Sequence, residues 1–184
     1  PGWYLAVGDA GFCRREEGPL VRLYFALAGP AAAPGLLGAT TATLNALGLP
    51  FQVKVANHAD GYVRRDPFIV YLHRSRWERH RRALAALQRG YAAMLRDDGP
   101  CFAYELARGW WLADEPVVAG RPVSFGQHRC LLAAEALVDA CERGWRSPTG
   151  RLAAIAERYH RAGIDLAHPY RNPPEHRNPP EQAV

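Results

Sequence analysis

The spacing of apolar residues changes several times along the chain, and each change marks an element. Trp3–Val7 and Leu20–Leu27 are short runs rich in aromatic and aliphatic residues, with the turn-like GDAGFCRREEGP between them, and they predict two strands able to close as a hairpin. Ala28–Pro34 reads as a linker. After it Leu36, Leu37, Thr40, Thr41, Leu44 and Leu47 recur at helical spacing, and Gly48 and Pro50 end that helix. Phe51–Val55 alternates strictly, which sets Phe51, Val53 and Val55 on one face of a strand and Gln52 and Lys54 on the other. The polar stretch Ala56–Asp66 is a loop marked by Asn57, Asp60 and Gly61. Pro67 leads into the apolar run Phe68–Leu72, a strand expected beside Phe51–Val55.

Helical period returns over Glu78–Arg96, with Leu84, Leu87, Tyr91, Met94 and Leu95 inward and a strongly basic outer side. Phe102–Trp111 fits either a strand or a short helix, and its two tryptophans are expected in the core. Ser124 followed three places later by Gln127, just before the apolar run Leu131–Val138, is a capping box. It places His128 and Arg129 in the first turn or so of a helix, where free N–H groups and the positive dipole end favour anions. A last helix runs from Pro148, capped by Ser147, to Ala162 and ends at Gly163. Beyond Pro169 the chain repeats RNPPEH as RNPPEQ, which predicts an extended proline-rich tail. The fold class expected is α+β: one domain over 1–168, a mainly antiparallel sheet packed with several helices, followed by a tail over 169–184.

Composition narrows the classes of function. The 184 residues are 48% hydrophobic, enough for one substantial core, and no apolar run approaches the roughly 20 residues that span a bilayer. The expectation is a soluble, cytoplasmic protein with no membrane partner. The chain starts at Pro1 inside an apparent strand, so residues upstream are expected. Cys13, Cys101, Cys130 and Cys141 show no C-x-x-C pair, and they read as buried free thiols. The net charge of +5 comes with 18 interspersed acidic residues, and no basic run exceeds Arg79–Arg82, so nucleic acid is not an expected partner. Of the 23 basic side chains one alone is lysine, Lys54. Arginine keeps its proton at accessible pH while lysine can lose it, so Lys54 is either a base or the remainder of a compositional bias.

One lysine, an Arg-rich strand entry and a His-Arg pair on a capped helix start would suit a phosphoryl group. P-loop glycines, a kinase catalytic loop and carboxylates at metal spacing are all missing from the sequence, which points away from phosphoryl transfer and calls for no cofactor or metal. Elimination of phosphate or simple binding remain. Elimination needs a base for the Cα proton and cations around the leaving phosphate. Lys54 is the candidate base; bringing a lysine from about 10.4 to about 7–8 costs roughly 3–5 kcal/mol, which nearby arginines or burial would supply. Arg64, Arg129 and Ser124 are the candidates for the phosphate. Asp66 either orients an arginine, contacts the substrate or forms an ordinary ion pair, and Tyr62 supports the same strand entry. His128 can donate a proton to the leaving group or serve structurally, with His58 a weaker rival.

The succession of Lys54 on its strand, Tyr62-x-Arg64-x-Asp66 entering FIVYL, S-F-G-x-H-R over Ser124–Arg129 and G-I-D-L-x-x-P-Y-x-N-P over Gly163–Pro173 resembles the HopA-type effector family. That family includes type III effectors of plant pathogens and small bacterial proteins of peptide natural-product pathways, such as class V lanthipeptides and thioamidated peptides. The Ala/Arg/Pro bias resembles a high-GC actinobacterium, which favours the biosynthetic branch. The resemblance there implies a phosphoserine/phosphothreonine lyase acting on a leader-bearing precursor peptide after a separate partner kinase, leaving dehydroalanine or dehydrobutyrine. The alternative is a non-catalytic effector or scaffold that binds a phosphopeptide or a partner protein, for which the basic helix and the RNPPE repeats are the motive.

Overall fold

The computed structural model describes residues 2–118 and 123–174. The fold is α+β, as expected, and among the described residues it has six strands in the order β1-β3-β4-β2-β6-β5 and four α-helices. The chain falls into two compact units, Pro1–Ala113 and Asp114–Val184.

The first unit begins with β1 (Trp3–Val7) and β2 (Leu20–Phe25), followed by α1 (Ala33–Ala46), β3 (Gln52–Ala56) and β4 (Phe68–His73). It continues with α2 (Arg74–Tyr91) and a closing pair, β5 (Tyr104–Ala107) and β6 (Trp110–Asp114). The alternation read in β3 holds: Val53 and Val55 are buried while Gln52 and Lys54 are half-buried. β3 lies antiparallel to β4, with Lys54 opposite Ile69. The hairpin expected between the first two strands does not form. β1 pairs with β3, and β2 pairs with β4 instead. Burial explains the choice, because every residue of β2 is buried and such a strand belongs inside a sheet, whereas β1 exposes three of its five residues and sits at the edge.

Val21, Leu23, Phe25, Val53, Val55, Phe68 and Val70 form one apolar sheet face, packed with Leu36 and Leu44 of α1 and Trp77 and Leu84 of α2. At its centre Trp110 stacks on Phe25 at 5.9 Å and meets Trp77 edge-on at 5.4 Å, so the tryptophan pair belongs to the core as expected. The stretch that fitted strand or helix is therefore a strand pair, β5 and β6, antiparallel about Gly109. That glycine has φ +71°, and a Cβ there would lie 2.2 Å from Leu95 Cβ. α2 starts four residues earlier than its apolar period suggested because its first turn, Arg74 to Arg76, is polar. Met94 falls in a 3-10 turn after α2 and is 49% exposed, a correction to its expected inward position.

The second unit is built on α3 (Phe125–Glu142) and α4 (Pro148–Arg161). Both predicted caps are made: Ser124 Oγ accepts the Gln127 N–H at 3.2 Å and Ser147 Oγ accepts that of Gly150 at 3.0 Å. The helices meet through Ala136, Ala140 and Ala154, small side chains that let them approach closely. Because alanines form that inward stripe, Cys130 and Cys141 are exposed rather than buried, as is Cys101 of the first unit; Cys13 alone is buried. No helix among the described residues is long and apolar enough to cross a membrane.

Candidate functional site

Lys54 leaves β3 on the face opposite Val53 and Val55, two positions along the β1 pairing from Trp3, since Leu5 lies opposite Lys54 and Trp3 opposite Ala56. Its Nζ stands 4.3 Å from the centre of the Trp3 ring. The Arg64 guanidinium approaches the same ring at 5.4 Å. Two cations thus share one indole, each contact worth about 1 kcal/mol at a partly exposed site. Arg64 is also held as a fork: Nε donates to Asp66 Oδ1 at 2.9 Å and a terminal nitrogen donates to Oδ2 at 3.2 Å. That carboxylate, ahead of the opposing effect of burial, keeps the guanidinium above its ordinary pKa.

Loop geometry sets this arrangement. The segment after β3 forms a 3-10 turn, Ala59–Val63, within the predicted loop. Tyr62 is buried in it and donates its hydroxyl to the Ala56 carbonyl at 2.9 Å, and burial raises its pKa. Tyr62 thus closes the turn back on the end of β3 and delivers Arg64 toward Trp3. His58 caps the turn, its Nδ1 accepting the Asp60 N–H at 3.3 Å. Gly61 is required there, since a Cβ would lie 2.7 Å from that of Ala56.

Ser124, His128 and Arg129 belong to the second unit. Ser124 Oγ is the helix cap described above. Arg129 is fully buried; Nε donates to the Pro169 carbonyl at 2.7 Å, and one terminal nitrogen donates to the Arg171 carbonyl at 2.9 Å and to Asn172 Oδ1 at 3.2 Å. The other terminal nitrogen donates to His128 Nδ1. A guanidinium can only donate, so Nδ1 carries a lone pair and the ring proton sits on Nε2. Burial first, and Arg129 second, hold the His128 pKa below its ordinary value, which keeps the ring neutral near pH 7. Asn172, itself buried, donates its N–H to Asp114 Oδ2 at 2.8 Å and its side-chain amide to the Glu115 carbonyl at 2.6 Å. The start of the expected tail is thus docked as far as Asn172, because the buried guanidinium and carboxylate need its polar groups. Residues 175–184, with the second RNPPE repeat, lie outside the described residues.

Of the candidates in the first unit, Lys54 and Arg64 meet on the Trp3 ring, Asp66 holds Arg64, and Tyr62 closes the turn on Ala56; in the second unit Arg129 bonds His128 and Asn172, and Ser124 caps α3. Sequence reasoning missed Trp3, whose place depends on a strand pairing that no local pattern encodes. The model of the HopA1 effector protein family matches residues 1–171. The chain belongs to the HopA1 effector protein family. Two solved structures of effectors share the fold. One, from Pseudomonas syringae pv. tomato strain DC3000, superposes with a TM-score of 0.66 at 18% identity, over 87% of this chain and 59% of that one. The other, from Pseudomonas syringae pv. syringae strain 61, gives 0.62 at 18% identity, over 84% and 57%. This HopA1-family chain thus spans less than two thirds of either effector, and at that identity the likeness is one of fold. No curated protein matches the chain.

Proposed function

We propose that this HopA1-family protein is a phosphopeptide lyase of the family's biosynthetic branch. It removes phosphate from phosphoserine or phosphothreonine of a leader-bearing ribosomal precursor peptide, previously modified by a separate kinase, in a class V lanthipeptide or thioamidated-peptide pathway. The observation that carries this reading is the shared Trp3 ring, which sets the lone lysine beside a carboxylate-held arginine. In the reaction Lys54 Nζ takes the Cα proton, the C–H electron pair becomes the Cα=Cβ bond, and the Cβ–O bond breaks toward the phosphate. Arg64 holds the departing oxyanion. With the ester entering as its monoanion, the product is hydrogenphosphate, and the balance closes without a proton from the neutral His128. Ser124 and Arg129 act by holding the fold of their own unit.

The test is mass spectrometry of a kinase-phosphorylated precursor peptide incubated with the protein. Loss of phosphoric acid is expected; an unchanged mass with Lys54 intact refutes the reading. Lys54→Arg keeps the charge and removes the transferable proton, so it should abolish turnover while retaining phosphopeptide binding.

A second reading, a non-catalytic binding protein, draws on a polar cavity of about 470 Å³ lined by His73, Ser75, Arg76, Arg79, Glu17 and Pro50. If joint replacement of Arg76 and Arg79 by alanine removed pathway function while Lys54→Arg left it intact, this reading would replace the first.

A further inference from the structure

Among the described residues β1 is an edge strand without the usual protection. Among the described residues its only strand partner is β3. The Gly8 N–H donates to the Phe51 carbonyl at 3.1 Å and the Asn57 N–H to the Gly2 carbonyl at 3.3 Å, so even-numbered residues of this stretch turn their main chain toward β3. By the alternation of an antiparallel ladder, the N–H and C=O groups of Trp3, Leu5 and Val7 point to the open edge. Tyr4, Leu5 and Val7 are 55%, 58% and 47% exposed, and Trp3–Val7 contains no lysine, proline or inward charge to discourage pairing.

The two faces beside this edge differ in chemistry. On one face stand Trp3, Leu5 and Lys54, with Arg64 on the Trp3 ring. On the other, Tyr4 shares a face with Val55 and opens on a mostly apolar groove of about 280 Å³, also lined by Ala33, Pro34 and Leu37 of α1 and by His58. We infer that the edge of β1 docks the phosphorylated peptide as an added antiparallel strand, with the phosphoresidue on the Lys54 face and its immediate neighbours, apolar in a good substrate, over the Tyr4 groove. The inference rests on the lyase reading for its ligand and extends it to how the ligand is held. Charge decides the occupant: an anionic phosphate meets the Arg64 guanidinium on the Lys54 face, while period two sends the flanking side chains to the apolar side.

Geometry fixes which peptide amides matter. In an antiparallel pair the residue opposite Leu5 shares its face and exchanges both hydrogen bonds with it, so the phosphoresidue, and residues two away from it, donate to β1, whereas the immediate neighbours do not. The probe is a fluorescein-labelled synthetic phosphoserine peptide with leucine on both sides of the phosphoserine, read by anisotropy for binding and by mass for phosphate loss. N-methylation two residues from the phosphoserine should weaken binding about tenfold, the loss of one hydrogen bond worth about 1.4 kcal/mol, and N-methylation of an adjacent leucine should leave it within about twofold. Replacing the flanking leucines by aspartate should also weaken it. In the protein, Leu5→Pro removes an outward N–H and leaves the β1–β3 ladder intact, so an unchanged circular-dichroism spectrum with lost binding is expected.

Equal sensitivity to N-methylation at both parities, with phosphate still released, overturns the docking inference and leaves the lyase reading standing. Parity-dependent binding without phosphate release does the reverse. A concentration-dependent dimer in sedimentation that the peptide fails to dissociate assigns the edge to a second copy and overturns the inference.

Discussion

Replacing Arg129 by methionine tests whether a charge from the S-F-G-x-H-R motif serves the fold of the second unit. The side chain is fully buried, and its acceptors include the carbonyls of Pro169 and Arg171, Asn172 Oδ1 and His128 Nδ1. Hydrogen bonds to a charged group contribute roughly 1.5–3 kcal/mol each, and part-buried acceptors left without a donor add up to about 1–3 kcal/mol of desolvation. Such terms are not additive, because the 169–172 segment would detach and rehydrate as a unit. The expected net loss is about 3–5 kcal/mol, a large share of a typical domain's stability. Urea unfolding followed by circular dichroism measures it, and hydrogen exchange at Asn172 locates it, since that amide bonds to Asp114 Oδ2. A loss below about 1 kcal/mol, with Asn172 still protected, would refute the structural role. Unaltered stability with abolished phosphopeptide binding would return Arg129 to the phosphate.

Other outcomes follow from the same geometry. Trp110→Ala opens a cavity among Phe25, Trp77 and Leu95's neighbours and should cost about 3–5 kcal/mol in urea unfolding. Gly109→Ala puts a Cβ at φ +71° against Leu95 and should lower the thermal midpoint. At neutral pH a thiol reagent should label Cys101, Cys130 and Cys141 of the native protein and spare Cys13, whose thiol donates to the Pro50 carbonyl. Burial raises the Cys13 pKa from 9.0 to about 11, so the unfolded chain ionises first; stability is full below pH 9 and falls by about 2–3 kcal/mol as pH rises through 11, a slope that Cys13→Ala should abolish. His128 has the opposite sign. Its lowered pKa means the unfolded state protonates first, so stability should decline as pH drops below about 6.5, and less so in His128→Gln.

Local chemistry was legible in the sequence and long-range pairing was not. The alternation through Lys54, the two serine caps and the glycine stop at Gly163, with φ +68°, depend on neighbours within one turn or one strand. The β1–β2 hairpin failed because the true partner of Trp3–Val7 lies beyond α1, and strand choice was decided by burial on both faces of β2, a property of the assembled sheet. Trp3 escaped notice for the same reason. The start of α2 was hidden because its first turn carries Arg74, Ser75 and Arg76, which interrupt the apolar period. The place of Arg129 in the first turns of a capped helix was legible, but nothing in the local pattern revealed that carbonyls 40 and 42 residues on would accept from its fork.

That separation along the chain bears on how the second unit folds during synthesis. Helix α3 leaves the ribosome carrying a guanidinium destined for the interior, but the groups that solvate it there, from Pro169 to Asn172, emerge only after α4 is complete. Until then, burying α3 would strand an unpaired charge, so the helix pair has reason to stay open and hydrated. Docking of Asn172 is then the closing event of the unit, and a chain stalled or cut before that residue would present an incompletely packed α3 to chaperones and proteases.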